Sequence, residues 1–136
     1  MAHRLKLEIV TPDATVYSDE VDMVTLPAIE GQIGILPQHV HLMTQLVAGE
    51  MTVRKDGQSE FLAVGQGLVE VTGERVSILT DMAVSIENID EATAEEARQR
   101  AAARLKEKLS AEEVASVNAA LVRSLTQLRI KRRHRS

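Results

Sequence analysis

Residue types that carry much of protein chemistry are scarce in this sequence. The 136 residues contain no cysteine, which excludes disulfides, thiolate metal sites and cysteine nucleophiles together. Aromatic side chains are limited to Tyr17 and Phe61, so a platform of stacked rings for binding single-stranded nucleic acid is excluded as well. The hydrophobic core therefore has to be built from valine, isoleucine, leucine, methionine and alanine.

Long apolar segments are also missing. Lysine and glutamate interrupt the apolar residues from position 5 to position 9, so no signal peptide is expected at the start. No run of about 18 apolar residues, the length that spans a bilayer, occurs in the sequence. With 44% hydrophobic and 26% charged residues, the composition is typical of a folded soluble protein. We expect any membrane association to come through a protein partner.

The two parts of the chain differ in charge. The net charge is −4, but residues 1–88 carry 5 basic and 13 acidic side chains, whereas residues 89–136 carry 11 basic and 7 acidic ones. The first part is therefore net acidic and the second net basic, which indicates that they face different partners. Nucleic acid is disfavoured as a partner, because the acidic first part would repel phosphate.

Residues 1–88 show the period-two pattern of β-strands interrupted by turns. Apolar and charged residues alternate from Leu5 to Ile9, which predicts a strand with one buried face. Asp56-Gly57 separates two short apolar segments, and glycine accepts the positive φ that a tight hairpin needs. Many short strands with such turns predict an antiparallel β-sandwich or a flattened barrel.

Residues 89–136 contain neither glycine nor proline and change to a helical pattern. Asp90 is a candidate N-cap for a first helix over residues 91–108. Ser110 and Glu113 match a capping box, which predicts a second helix over residues 111–131 after a very short turn. The fold class is therefore α+β, with a β-sandwich domain (1–88) followed by an antiparallel helical hairpin (89–136).

The predicted contact between the two helices is thin. Its apolar positions are Ala94, Ala97, Ala101, Leu105 and Leu109 on the first helix, and Val114, Val117, Leu121, Leu125 and Leu128 on the second. At most about 0.8 kcal/mol per buried CH₂ is available from them, which is marginal for an independent domain. The hairpin is thus expected to detach or reopen, and the sequence leaves open whether it rests folded on the sandwich or extended.

Residues 26–39 read LPAIEGQIGILPQH and resemble the signature loop of the ATP synthase epsilon family. Further segments similar to that family in order and spacing are 10–12, 65–71, 76–81 and 125–129. The sequence departs from the family's pattern in three places. Gln38 and His41 stand where the family commonly has glycine and proline, Gly65-Gln66-Gly67 replaces adjacent glycines, and a nucleotide-binding motif at residues 89–94 is incomplete. The resemblance implies a sandwich of about ten strands, a two-helix hairpin and attachment to the gamma subunit beside the ring of c subunits.

As implied by this resemblance, the chain is a non-catalytic central-stalk subunit of a proton- or sodium-translocating ATP synthase. It would couple gamma to the c ring, contact alpha and beta subunits transiently, and inhibit ATP hydrolysis through its hairpin. The expected location is the cytoplasmic face of the cell membrane, in a bacterium, as a peripheral subunit. The resemblance assigns Glu30, Gln32 and His39 to the face near the c subunits.

Residues 89–94 resemble the motif Ile/Leu-Asp-x-x-Arg-Ala, by which some bacterial members bind ATP. Thr93 stands in place of the arginine, so a planar cation suited to phosphate is missing. Asp90, Arg100 and Arg123 are at positions that resemble the other nucleotide contacts. ATP is therefore retained only as a weak regulatory ligand, with no other cofactor expected, and the alternative role of Asp90 is that of a helix cap.

The C-terminal end is strongly basic. Arg129, Lys131, Arg132, Arg133 and Arg135 occur without an acidic residue among them. They predict either an inhibitory contact with an acidic surface, which in the family is provided by beta subunits, or a solvated end without a partner.

Two further site hypotheses are weak. His39 and His41 lack additional ligands for a metal ion, so no metal site is predicted. The carboxylates at Asp19, Glu20 and Asp22 are expected to be a solvated turn, and no nucleophile with a base or phosphate-binding loop appears. The alternative to the subunit hypothesis is a free-standing β-sandwich that binds a ligand and dimerises through its hairpin.

Overall fold

Ten strands precede two helices in the computed structural model, which describes residues 4–39 and 41–134. The strands are β1 Leu5–Val10, β2 Thr15–Val21, β3 Met23–Ala28, β4 Gly31–Ile35, β5 Leu42–Leu46, β6 Gly49–Lys55, β7 Gln58–Val64, β8 Gly67–Thr72, β9 Arg75–Thr80 and β10 Ala83–Ser85. A 3₁₀ turn at Ile86–Asn88 leads to α1 Glu91–Arg104 and α2 Ala111–Arg133. The predicted α+β fold class is confirmed.

The ten strands form one continuous sheet that closes towards a barrel. Their order is β10-β7-β6-β3-β5-β8-β9-β1-β2, and β4 pairs with the opposite edge of β3. Most neighbours are antiparallel, as predicted, but β1 runs parallel to β9. A parallel pair is possible here because most of the domain lies between these two strands, so no short hairpin has to connect them.

The main core lies between the inward faces of this sheet. The alternation predicted in β1 is confirmed, since Leu5, Leu7 and Ile9 are fully buried whereas Lys6 and Glu8 are half-buried. The same period buries inward residues on the neighbouring strands, including Val24, Leu26, Met51, Val53, Val69, Val71, Val76 and Ile78. Aliphatic residues make up this cluster, as the scarcity of aromatic side chains requires.

One strand is buried on both faces. Leu62, Ala63 and Val64 of β7 are all buried, which interrupts the alternation of exposed and buried residues. Leu62 and Val64 belong to the main core, whereas Ala63 joins a second cluster with Met82, Ile89 and Ile130. Because Ile130 belongs to α2, the hairpin is what covers the outer face of β7.

Two turns require positive φ angles at residues other than glycine. The β6–β7 hairpin places Asp56 at φ 53° and Gly57 at φ 78°, which confirms the predicted tight turn. Gln38, at the position where the family commonly has glycine, takes φ 67° and donates its backbone N–H to the carbonyl of Gly73. The glutamine therefore keeps the backbone conformation that a glycine would adopt more easily.

The helix starts are confirmed and their ends differ from the prediction. Asp90 caps α1, and Ser110 and Glu113 form the full capping box of α2. α1 ends at Arg104 rather than at residue 108, because the chain needs residues 105–110 to reverse its direction before the extended cap at Ser110. α2 continues to Arg133, two residues beyond the prediction.

The helices form an antiparallel hairpin, with ion pairs near both ends. Arg104 lies 3.4 Å from Glu113 at the turn, and Arg132 lies 3.1 Å from Glu91 at the open end. Within the predicted apolar seam, Ala94, Ala101 and Leu128 are buried and Ala97, Leu105, Leu109, Val117 and Leu121 are half-buried.

Two residues of the predicted seam are more exposed than the others. Val114 is 37% and Leu125 46% exposed, although at about 100° per residue both lie within about 60° of Leu128 around the axis of α2. Leu125 also lines, together with Glu95, Arg98 and Leu128, a shallow groove between the two helices. In addition, α2 buries a second, nearly opposite side, on which Ile130 packs against the sandwich.

We predict that alanine is tolerated at Gly73 and not at Gly67. A Cβ at Gly67 would lie 1.8 Å from the carbonyl oxygen of Leu79, whereas one at Gly73 would meet nothing within 4 Å. Gly67→Ala should lower the free energy of unfolding by about 1–3 kcal/mol, because the backbone of β9 must move. The matched control Gly73→Ala should leave it unchanged or raise it by up to about 1 kcal/mol. Equal stabilities of the two variants in urea would contradict the described packing.

Candidate functional site

The β3–β4 turn presents two of the predicted interface residues. Glu30 and Gln32 flank Gly31, whose φ of 120° is a conformation that side chains rarely adopt. All three residues are exposed, and the preceding Ile29 is also exposed although it is apolar. The turn is anchored from behind, since the backbone N–H of Ile29 donates to the carbonyl of Gln45. Glu30 and Gln32 thus stand together on a fixed, accessible tip.

His39 lies at the other end of the same hairpin. β4 separates it from the tip, and the four steps from Gly31 to Ile35 already span about 13 Å. The neighbouring Gln38 is hydrogen-bonded to Gly73, in the turn between β8 and β9. The structure therefore brings Glu30 and Gln32 together but not His39, and a contact of all three with one ring remains a prediction.

An apolar strip crosses the outer face of the sheet. We use this name for Val10, Met43, Leu68 and Leu79. Leu68 is directly opposite Leu79 in the β8–β9 ladder, and Leu79 is paired with Val10. Met43, Leu68 and Leu79 are 67%, 52% and 59% exposed. Large apolar side chains that are adjacent and exposed indicate a surface on which another protein packs.

A shallow depression borders this strip. It measures about 580 Å³ and is lined by residues that include Pro12, Gln45 and Gln66 beside Leu68 and Leu79. Both glutamine side chains and leucine side chains line this depression, a combination of polar and apolar groups that is typical of protein interfaces. The strip and the depression together form one candidate docking surface on the sandwich.

The hairpin rests on the outer face of β6, β7 and β10. Glu50, Ala63 and Val84 lie side by side on these three strands, and Ile130 packs into the small cluster that contains Ala63. Ile130 is fully buried and Ser124 and Thr126 are nearly so. The two hydroxyls donate to carbonyls one turn earlier in α2, so no buried hydroxyl of this pair is left without a partner.

The basic end of α2 is engaged within the chain. Lys131 donates to the carbonyl of Ile86 at 2.9 Å, and Arg132 contacts Glu91 and Glu95 at 3.1 Å and 3.9 Å. Arg133 lies 3.6 Å from Glu50, while Arg129 is exposed and makes no ion pair within residues 4–39 and 41–134. Arg135 lies outside the described residues. The carboxylates of Glu50, Glu91 and Glu95 therefore compete with any external acidic surface for the basic side chains of α2.

A second polar contact joins the middle of α2 to the sandwich. Arg123 Nη1 lies 3.3 Å from Asp81 Oδ2. The other oxygen, Oδ1, is buried without a hydrogen-bond partner and lies where a Cβ of residue 65 would be, at 1.8 Å. The glycine at position 65 is therefore what allows Asp81 to reach Arg123. Beside this pair is a cleft of about 520 Å³ between α2 and the sandwich.

The three candidate nucleotide contacts lie on different segments of the hairpin. The Asp90 carboxylate accepts the backbone N–H groups of Ala92 and Thr93, which confirms its role as a helix cap. These hydrogen bonds, chiefly that from Thr93, hold the pKa of Asp90 below its ordinary value. Arg100 is exposed about 15 Å further along α1, and Arg123 is paired with Asp81. Binding of a nucleotide by these three residues stays a prediction.

Metal-binding clusters and membrane-spanning helices are both absent from the described part of the chain. No group of three or more histidine, aspartate or glutamate side chains there could hold a metal ion. No helix among the same residues is long and apolar enough to cross a membrane.

Comparison with known proteins decides the family. The model of the ATP synthase delta/epsilon chain β-sandwich domain matches residues 4–86, and that of the delta/epsilon chain long α-helix domain matches residues 87–132. The chain belongs to the ATP synthase delta/epsilon family. This confirms the resemblance and supports the subunit hypothesis over the alternative of a free-standing ligand-binding module. The division at residues 88 and 89 lies close to the limit between the two matches and stays a prediction.

The relatives agree over nearly the full length. The chain is 41% identical over 132 residues to an ATP synthase epsilon chain of Herpetosiphon aurantiacus, covering 97% of each. It is 44% identical to ATP synthase epsilon chain 2 of Syntrophotalea carbinolica, over 96% of this chain and 95% of that one. The chain is therefore a non-catalytic subunit of an ATP synthase.

A solved structure shares the fold. A chain of the Euglena gracilis mitochondrial ATP synthase OSCP/F1/c-ring structure superimposes with a TM-score of 0.70 over 96% of this chain and 82% of that chain. Their sequence identity is 22%, so this likeness supports the architecture alone.

Several residues that connect the hairpin to the sandwich were not predicted from the sequence. Ile130 lies on the opposite side of α2 from the predicted stripe. Asp81, between β9 and β10, and Glu50, in β6, are distant in sequence from the helix that they contact. The ring of His134 contacts both Glu50 and Phe61, and no local sequence pattern indicates these contacts. One signal in the sequence pointed to a second buried side of α2. Ile130 is apolar and follows Leu128 by two residues, which places it on nearly the opposite side of the helix.

We predict that acid weakens the hairpin through Glu95. Its carboxylate accepts hydrogen bonds from Arg98, at 3.0 Å and 2.5 Å, which lower the pKa of Glu95 from 4.5 to about 2. Since the pKa is lower in the folded state, the stabilisation is present above pH 4.5 and is lost as the pH falls towards 2. Helicity measured by circular dichroism during urea unfolding should show this loss. Glu95→Gln should remove that part of the pH dependence and Glu96→Gln should not.

We predict weak binding of ATP by the isolated chain. Thr93 supplies no cation, and its backbone N–H is already used in the cap with Asp90. Thr93→Arg should strengthen binding in calorimetry, because a guanidinium donates two parallel hydrogen bonds to phosphate oxygens. Thr93→Gln is the uncharged control and should leave binding weak. Tight binding by the unaltered chain would contradict this prediction.

Proposed function

We propose that this subunit works in the central stalk of the rotor. The sandwich links the gamma subunit to the ring of c subunits, and the hairpin opposes ATP hydrolysis when it leaves the sandwich. The observation that carries the proposal is the division of the hydrophobic core into two clusters. The main cluster lies entirely within the sandwich, so coupling can continue while the hairpin moves.

The apolar strip is the surface proposed to bind gamma. It is the most exposed group of adjacent apolar side chains on the sheet, and the hairpin occupies other strands. A central-stalk subunit needs one durable contact with its rotor partner, and burial of apolar surface is the main source of such stability. Leu68 and Leu79 are central to the strip.

The tip at Glu30 and Gln32 is the surface proposed to contact the c subunits. Both side chains are exposed on a turn whose backbone is held by pairing with β3 and by the bond to Gln45. A stiff polar tip can transmit force to a polar ring surface without burying much area. The tip then places the subunit at the cytoplasmic face of the membrane through the ring, in an enzyme that moves protons or sodium ions.

The hairpin is proposed to act as the inhibitory element. Its contact with the sandwich has a small apolar cluster around Ile130 and several ion pairs that are partly exposed. Such ion pairs contribute at most about 1 kcal/mol each, so an external acidic surface on a beta subunit can replace them. Arg129, Lys131, Arg132, Arg133 and Arg135 are the residues proposed to make that transient contact.

We predict that Ile130→Ser increases inhibition of hydrolysis by the assembled enzyme. The change removes the largest apolar side chain of the hairpin from the second cluster and should weaken docking by about 2–4 kcal/mol. Leu125→Ser is the matched control, because Leu125 is on the same helix and 46% exposed. The control should change docking by less than about 1 kcal/mol and leave hydrolysis unaltered. If both variants hydrolyse ATP at the unmodified rate, release of the hairpin does not regulate the enzyme.

We predict that Leu68→Glu combined with Leu79→Glu abolishes binding to gamma. Two carboxylates on facing strands would have to be desolvated in the interface, at a cost of several kcal/mol. Because both leucines are exposed, the free subunit should keep its melting temperature. Val122→Glu, at an exposed apolar position on α2, is the control and should retain gamma in a pull-down. Retention of gamma by the double variant would show that the strip is not the gamma surface.

A further inference from the structure

The apolar strip runs beside a second row of aligned side chains. This acidic row, as we call it, consists of Glu70, Ser77 and Glu8, which are opposite one another on β8, β9 and β1. Each of them is two residues away from a member of the strip on the same strand, namely Leu68, Leu79 and Val10. Residues two apart in a strand point to the same face, so the two rows lie about 7 Å apart on the outer face of the sheet.

The two carboxylates of the acidic row have no cation of their own. The ion pairs within residues 4–39 and 41–134 use other acidic side chains, so none joins Glu8 or Glu70 to a lysine or an arginine. Adjacent strands are about 5 Å apart, which places the two glutamates about 10 Å apart with Ser77 between them. Serine has the shortest side chain of the three, so a cationic group above it is within reach of both carboxylates.

The opposite side of the strip does not offer such a charge. It borders the shallow depression, which is lined by neutral side chains that include Gln45 and Gln66. Asp81 also lines the depression, but its carboxylate is already paired with Arg123 at 3.3 Å. A cation that approaches the strip is therefore attracted towards the acidic row and not towards the depression.

Basic residues follow on the far side of the acidic row. Lys6 and Arg75 are directly opposite each other on β1 and β9, two residues before Glu8 and Ser77. Across this face, the side chains thus change from apolar to negative to positive. A partner can match this order in one orientation only, because a reversed partner would leave the carboxylates without a cation.

A protein that packs on the strip has to cover the acidic row as well. A stable interface buries about 800 Å² on each partner, which equals a disc with a radius of about 16 Å. The acidic row, about 7 Å from the strip, lies well within such a disc. Its carboxylates are then withdrawn from water, which is strongly unfavourable unless a cation of the partner pairs with them.

We propose that the partner segment on the apolar strip carries a lysine or an arginine that lies over Ser77, between Glu8 and Glu70. The partner is the gamma subunit, so this inference rests on the proposed function and deepens it. An arginine suits the position best, because its planar guanidinium has five donors and can bond two carboxylates at once. The acidic row orients the partner, whereas the strip supplies most of the apolar contact.

Binding of variants to the assembled enzyme from which this subunit has been removed tests the role of the acidic row. Glu8→Gln and Glu70→Gln should each weaken binding about fivefold to thirtyfold, because each leaves the cation with one carboxylate. Glu74→Gln is the matched control, since it removes the same charge at an exposed position in the β8–β9 turn. The control should change the affinity less than about twofold. The melting temperature of each free variant should equal that of the unmodified chain.

Salt provides a second measurement on the same variants. The unmodified chain should lose affinity as sodium chloride rises from about 0.05 M to about 0.5 M, because salt screens the contact between opposite charges. The double variant Glu8→Gln with Glu70→Gln should lose less affinity over this range, and Glu74→Gln should lose as much as the unmodified chain.

An exchange of charges identifies the residue of the partner. Glu70→Arg should weaken binding at least about a hundredfold, because two cations then meet in the interface. One lysine or arginine of gamma, when replaced by glutamate, should weaken binding of the unmodified chain and strengthen binding of Glu70→Arg at least about tenfold. Failure of every basic position of gamma to do so would contradict the proposal.

The remaining outcomes separate this inference from the proposed function. Unchanged affinity and salt dependence in the double variant Glu8→Gln with Glu70→Gln would overturn the role of the acidic row, even if Leu68→Glu with Leu79→Glu abolishes binding and the strip keeps its role. Retention of gamma by that strip variant would overturn both. A homodimer of the free chain that the same strip variant dissociates, seen by sedimentation, would show that a second copy covers the strip and would also overturn the proposal.

Discussion

The docking of Ile130 against the outer face of β7 is the contact on which the arrangement of the two parts depends. This contact buries Ala63, which would otherwise be exposed on the outer face of β7. It also determines which side of α2 faces the sandwich. With Leu128 next to α1 and Ile130 against the sandwich, the two buried sides of α2 lie about 160° apart around its axis, so one helix contacts both neighbours. The hairpin is thus positioned by one small cluster rather than by its own seam.

Ion pairs join the acidic sandwich to the basic second helix. The acidic sandwich supplies Glu50 and Asp81, and the basic second helix supplies Arg133 and Arg123 to them. Each of these contacts is partly exposed, so its strength falls with salt and its partner can be exchanged. The net charges of the two parts therefore describe an internal interface as well as a tendency to bind other subunits.

Glycine determines how close the strands and the carboxylate can approach. Gly67 leaves room for the carbonyl of Leu79, and Gly65 leaves room for the carboxylate that pairs with Arg123. The separation of these glycines by Gln66, in place of adjacent glycines, is compatible with both approaches. Gly65 and Gly67 therefore permit these two close approaches although Gln66 separates them.

Local patterns in the sequence determined the elements of this protein. The alternation in β1, the Asp56-Gly57 turn and the caps at Asp90 and Ser110 act over a few residues, so each could be read without tertiary information. The tertiary structure alone decided what lies far apart in sequence: the parallel pairing of β1 with β9, the separation of His39 from Glu30, and the contact of His134 with Glu50. Those contacts depend on how the sheet closes and how α2 is rotated, which no short-range periodicity specifies.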